Sequence, residues 1–132
     1  MKRYIILFLV TIIFMVAGVG LGHAQKAKWK VGDRVMVNWS QDEFWYPATI
    51  TKASGKRYYI VFDDGDEEWT TLRRMSALRL SARQRVFVNR KHEGYYYPGR
   101  ILSNRKNIIR VLYDDGLRET TTVAGVRLDR KP

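Results

Sequence analysis

An internal repeat at an offset of 51 residues limits what this chain can fold into more than any other feature. Phe62-Asp63-Asp64-Gly65 returns as Tyr113-Asp114-Asp115-Gly116, and Phe44-Trp45-Tyr46-Pro47 returns as Tyr95-Tyr96-Tyr97-Pro98. The same offset pairs Arg34 with Arg85, Val35 with Val86, Val37 with Val88, Asn38 with Asn89 and Ile50 with Ile101. It also pairs Glu68 with Glu119, Thr70 with Thr121 and Thr71 with Thr122. A chain that carries one small unit twice folds as two copies of one arrangement, whatever else it contains. Each copy sets aromatic side chains beside carboxylates, the chemistry of a site for a cation.

The first 25 residues fall outside the repeat. Lys2 and Arg3 precede an apolar run from Ile5 to Val19, and Gly22-His23-Ala24 places small residues three and one before a cleavage point ahead of Gln25. This layout is that of a secretory signal peptide over residues 1–24. The alternative is an uncleaved membrane anchor over residues 4–21, since such a run is near the shortest that spans a bilayer. Either way the expected destination is export, periplasmic or secreted.

The chain has no cysteine, so disulfides cannot reinforce two small cores. Stability must come from aromatic-rich β packing, for which eight Tyr, four Trp and five Phe supply the material. Thiol nucleophiles, redox centres and thiolate metal sites are excluded. With only His23 and His92, and His23 in the leader, a histidine metal site or a Ser/His pair has little to use. No cofactor or metal is expected, and nothing supplies a nucleophile with a base or a phosphate loop.

Within each copy the apolar pattern has period two. Arg34 to Trp39 sets Val35, Val37 and Trp39 on one side and Met36 and Asn38 on the other, a half-buried strand. Further strands are read at Trp45–Lys52, Arg57–Phe62 and Glu67–Thr71, with Asp-Gly marking the tight hairpin between the last two. Leu72–Met75 reads as one helical turn and Leu78–Leu80 as a short fifth strand. The second copy repeats the course at Arg85–Arg90, Tyr95–Leu102, Ile108–Tyr113, Arg118–Thr122 and Gly125–Leu128. Short, evenly spaced strands without helical periodicity predict an all-β chain of two tandem five-stranded barrels, over residues 31–80 and 82–130. The short connection containing Leu78 and Leu80 predicts barrels that pack together.

Trp39, Tyr46 and Phe62 are expected to converge with Asp64 on one barrel rim. Three aromatic faces beside a carboxylate suit a methylated ammonium, which has lost donors and is weakly hydrated, so cation–π attraction of ~0.5–2 kcal/mol per ring replaces hydrogen bonds. The duller alternative is that those rings simply cap the core, and Asp63-Asp64-Gly65 serves the hairpin whether or not Asp64 binds anything. A calcium site built from Asp63, Asp64, Asp66 and Glu67 would need six or more oxygens aimed at one ion, which a tight turn does not easily provide.

Taken together, Val31-Gly32-Asp33-Arg34-Val35-Met36-Val37-Asn38-Trp39, Phe44 to Ile50 and Tyr59 to Glu67 resemble a Tudor domain. The span 31–128 resembles a tandem Tudor pair or the related plant Agenet pair. The resemblance implies SH3-like barrels that read methyl-lysine or methyl-arginine without catalysis, with the cage carried by Trp39, Tyr46, Phe62 and Asp64. Asp66 stands where that family often has another aromatic, which opens one wall and adds acidity. In the second copy Arg90 replaces Trp39 and Leu117 replaces Asp66, while Tyr97, Tyr113 and Asp115 remain.

Charge separates the copies: residues 31–75 carry a net −2 and residues 82–128 a net +6. The first barrel is therefore expected to take a methylated or cationic peptide or protein. The second, with Arg83, Arg85, Arg90, Lys91, Arg100, Arg105, Lys106 and Arg110, could meet a polyanion such as nucleic acid, anionic lipid or cell-wall polymer. A structural SH3-like adaptor for a protein partner is the third reading. A membrane enters only through an uncleaved leader.

Overall fold

The computed structural model describes residues 28–132; the expected leader and its cleavage site lie outside them. Among these residues ten strands form two antiparallel sheets. In the first barrel β1 (Arg34–Asn38), β2 (Trp45–Ser54), β3 (Arg57–Phe62), β4 (Glu67–Thr71) and β5 (Met75–Ala77) run in the order β4-β3-β2-β1-β5. In the second, β6 (Arg85–Asn89), β7 (Tyr96–Arg105), β8 (Ile108–Tyr113), β9 (Arg118–Thr122) and β10 (Val126–Arg127) run in the order β10-β6-β7-β8-β9. The two orders are the same once the repeat is taken into account.

The repeat reaches into irregular detail. Register slips between Ile50 and Lys52 on β2 and between Ile101 and Ser103 on β7, so a bulge bends each long strand at the same place. The two aspartates of each Asp-Asp-Gly do different work. Asp64 Oδ1 accepts the Asp66 N–H at 3.0 Å and Asp115 Oδ1 accepts the Leu117 N–H at 3.0 Å, closing the turns. Asp63 instead faces the guanidinium of Arg34, with Nη2–Oδ2 at 2.7 Å, and Asp114 faces that of Arg85, at 2.6 and 2.9 Å. These two-pronged pairs tie the β3–β4 and β8–β9 hairpins to the first strand of their own barrel. Gly65 (φ 101°) and Gly116 (φ 91°) take the left-handed conformation that the turns require.

Val35, Val37, Ala48, Ile50, Tyr58, Ile60, Phe62 and Met75 fill the first barrel, and Trp29 from the lead-in packs against them. Val86, Val88, Ile101, Ile109, Val111, Tyr113, Val123 and Val126 fill the second. Two expectations are corrected. Met36, assigned by alternation to the polar side of β1, is fully buried: with Trp45 it packs into the second barrel's core. The fifth strand is Met75–Ala77 rather than Leu78–Leu80, because one 3-10 turn over Leu72–Arg74 delivers Met75 directly opposite Val37. Leu78 and Leu80 run on into the second core instead.

The barrels are thus joined through shared packing. Trp45 and Leu128 exchange both backbone hydrogen bonds, at 2.8 and 2.9 Å, in a bridge between the two sheets.

Candidate functional site

The loop between β1 and β2 holds Trp39 at the mouth of the first barrel. Its N–H donates to the Phe44 carbonyl at 2.9 Å, its carbonyl accepts from Glu43 at 2.9 Å, and the Asn38 side chain donates to the Glu43 carbonyl. Glu43 itself adopts φ 63° to close the loop. Here Trp39, Tyr46 and Phe62 come together. Ring centroids are 5.8 Å apart for Trp39–Tyr46, 6.3 Å for Trp39–Phe62 and 6.1 Å for Tyr46–Phe62, with interplanar angles of 89°, 66° and 80°. Three rings standing nearly perpendicular to one another make the corner of a box. Phe62 is buried, Trp39 and Tyr46 half-buried, and Asp64 exposed at the rim.

Tyr46 is fixed at both ends. Its hydroxyl donates to Asp42 at 2.5 Å and accepts from Arg127 Nη1 at 2.8 Å. Burial, then the Asp42 acceptor, push its pKa up to about 12 against a smaller opposing pull from Arg127, so the phenol stays neutral. Asp66 serves through its backbone: its N–H donates to Asp64 and its carbonyl accepts from Phe62.

The equivalent place in the second barrel holds a cation supplied by the chain itself. The Arg90 guanidinium lies 4.2 Å from the Tyr97 ring centre and 3.9 Å from that of Tyr113, and Nη2 donates to Asp115 Oδ2 at 3.0 Å. Tyr97, Tyr113 and Asp115 are the repeat partners of Tyr46, Phe62 and Asp64. Arg90 therefore occupies the space between Tyr97, Tyr113 and Asp115. Its side chain is only 18% exposed, which also takes it out of the basic surface assigned from sequence. Tyr113 donates to Glu119 at 2.7 Å, and burial followed by that acceptor push its pKa up to about 12. In the first barrel Trp39 stands at Arg90's position, so the same arrangement presents a third ring in place of its own cation.

A shallow cleft with a cavity volume of only about 10 Å³ lies against this corner, lined by Tyr46, Pro47, Phe62, Asp63, Asp64, Tyr96 and Ala124. Tyr96 and Ala124 come from the second barrel. Tyr96 stands 6.4 Å from Tyr46 at 88°. Behind the pair, Arg127 lies 4.0 Å from the Phe44 ring centre and 4.0 Å from that of Tyr96, with Asp42 Oδ2 3.9 Å from Nη1. The sequence marks Tyr96 only as the middle of an aromatic triplet. Its approach to Tyr46 depends on how the barrels dock, which no local pattern reports.

The other expected basic residues sit on the outside of the second barrel. Arg100 on β7 and Arg110 on β8 are exposed, as are Lys91, Arg105 and Lys106 in turns or at strand ends. Asp63, Asp64, Asp66 and Glu67 do not form a metal cluster: Asp63 is committed to Arg34, and among the described residues no three potential ligands converge.

Comparison with known proteins bears on the fold. Residues 32–80 match the family model of the Agenet domain. The fold is similar to the crystal structure of the Crb2 tandem tudor domains, with a TM-score of 0.57 at 13% identity over 79% of this chain and 82% of that one. Fainter likenesses, too low to carry an argument, are to the Arabidopsis thaliana AGDP1 AGD34 (TM-score 0.39, 11% identity, 75% of this chain and 81% of that chain) and to the ADCP1 tandem Agenet domain 3-4 (0.38, 11%, 75% and 79%). No curated protein matches by sequence. The chain thus folds as two tandem Tudor-like barrels, the first of which matches the Agenet domain.

Proposed function

We propose that the protein is an exported, non-catalytic binding module whose first barrel recognises a methylated lysine or arginine side chain, or another group of quaternary-ammonium type. The observation that supports this reading is Arg90. Inside the same chain, one copy of the repeat already holds a cation over two rings and against the second aspartate of Asp-Asp-Gly. The other copy keeps both ring positions and the aspartate, and exchanges the resident arginine for Trp39. Cation–π attraction of about 0.5–2 kcal/mol per ring, with Asp64 as charge partner, gives affinity in the micromolar range.

The test is a titration of a trimethyl-lysine peptide followed by tryptophan fluorescence. Saturable binding is expected, with Trp39→Ala weakening it about tenfold or more, the equivalent of losing one well-buried ring. An unresponsive wild-type protein, indistinguishable from Trp39→Ala, would sink the proposal.

A further inference from the structure

We propose that Tyr96, carried by the second barrel, is the outer wall of the cation site in the first, so that the site is composite and complete only when the barrels are docked. This rests on reading the first barrel as a cation cage. Tyr96 stands to Tyr46 as the cage rings stand to one another: 6.4 Å and 88°, against 5.8–6.3 Å and 66–89° among Trp39, Tyr46 and Phe62. It borders the same cleft as Phe62 and Asp64. The repeat supplies a control. Tyr96's counterpart is Trp45, which is buried at 7% exposure in the second core, whereas Tyr96 remains half-buried beside the cleft. Each barrel lends one aromatic to the other: Trp45 becomes packing, and Tyr96 becomes part of a surface.

The ring is held there by Arg127, 4.0 Å from its centre, which also donates to the Tyr46 hydroxyl. A fixed cation beside a cation site would repel a ligand unless neutralised, and Asp42 lies 3.9 Å from Arg127 to do so. The Tyr96 phenol is raised above its ordinary pKa, first by burial, and the negative charges of Asp64 and Asp42 add to that against the opposing pull of Arg127. The carboxylate of the cage and this ring therefore lie within each other's field.

A wall that acts through its π face favours a charged ligand over a neutral one of the same shape, whereas a wall that only packs favours both alike. The experiment uses the whole chain with two peptides, one carrying trimethyl-lysine and one carrying its carbon isostere, in which the quaternary nitrogen is replaced by carbon. Tyr96→Phe should bind the charged peptide within about twofold of wild type, since the π face is retained. Tyr96→Leu should weaken it about three- to tenfold while leaving the isostere unchanged. If Tyr96→Leu binds the charged peptide as wild type does, or loses both peptides equally, the assignment of Tyr96 is overturned although the cage in the first barrel stands. If wild type and Trp39→Ala both ignore the charged peptide, the cage and its outer wall fall together.

Discussion

Arg90 and Trp39 show how much one substitution decides when its surroundings are repeated. Both stand at the same position of the unit, beside a tyrosine, a second aromatic and an aspartate. The arginine satisfies its box from within and the tryptophan extends it. Chemistry at these boxes also depends on two phenols kept neutral. Tyr46 and Tyr113 are each pushed up to about 12 from an ordinary 10.0, by burial first and by Asp42 and Glu119 second. A phenol whose pKa is higher in the fold than in the unfolded chain stabilises the fold while protonated. That contribution is complete below the ordinary value and drains away as pH climbs towards 12. In an alkaline titration followed by phenolate absorbance, Tyr46 and Tyr113 should ionise last, with loss of stability across the same interval. Tyr46→Phe should remove one of the late steps. At this scale the sequence was informative about which residue types meet at the first box. It was silent on where the Arg90 side chain goes and on Tyr96, because a side chain's destination depends on rotamer and docking rather than on spacing.

Among the elements, the strands either side of Asp-Asp-Gly were the most legible. β3, β4, β8 and β9 fall where alternation and the Asp-Gly turn put them, since a tight hairpin fixes both ends of its strands. β1 was legible in place but not in its faces. Alternation separates inside from outside only when one face meets water, and β1 is covered on both, by its own core and by the second barrel. β5 was displaced for a related reason: Leu78 and Leu80 look like strand residues because they are apolar, but the core they serve is the other one. The β7–β8 pairing carries a sharp test of backbone geometry. A Cβ on Gly99 would come within 2.7 Å of the Leu112 carbonyl oxygen, whereas its repeat partner is Ala48. Gly99→Ala should therefore destabilise by about 1–3 kcal/mol as the strands are forced apart. Chemical denaturation would check this, with the midpoint falling and the slope unchanged.

For the whole molecule, the decisive feature is that the barrels do not end where their sheets end. Met36 and Trp45 belong to the first sheet and to the second core, and the Trp45–Leu128 bridge carries backbone hydrogen bonding across the boundary. Residues 28–132 should accordingly unfold in one transition. Trp45→Ala should cost about 3–5 kcal/mol, the usual range for deleting a buried tryptophan side chain. Hydrogen exchange should show amides of both barrels losing protection together in that variant. Two resolved transitions in the wild type, or loss of protection confined to one barrel, would contradict this shared core.

The same bridge sets a schedule for the chain as it is made. Met36 and Trp45 emerge early, and the first barrel has all its own strands once Ala77 is available. The apolar patch on its outer side stays bare until β10 and Leu128 arrive, 83 residues after Trp45. At about 5–20 residues per second that interval is roughly 4–17 seconds, long compared with the closing of a small barrel. A half-made chain thus displays the Trp39–Tyr46–Phe62 corner above an adhesive flank, and the step that covers the flank is also the one that brings Tyr96 beside Tyr46.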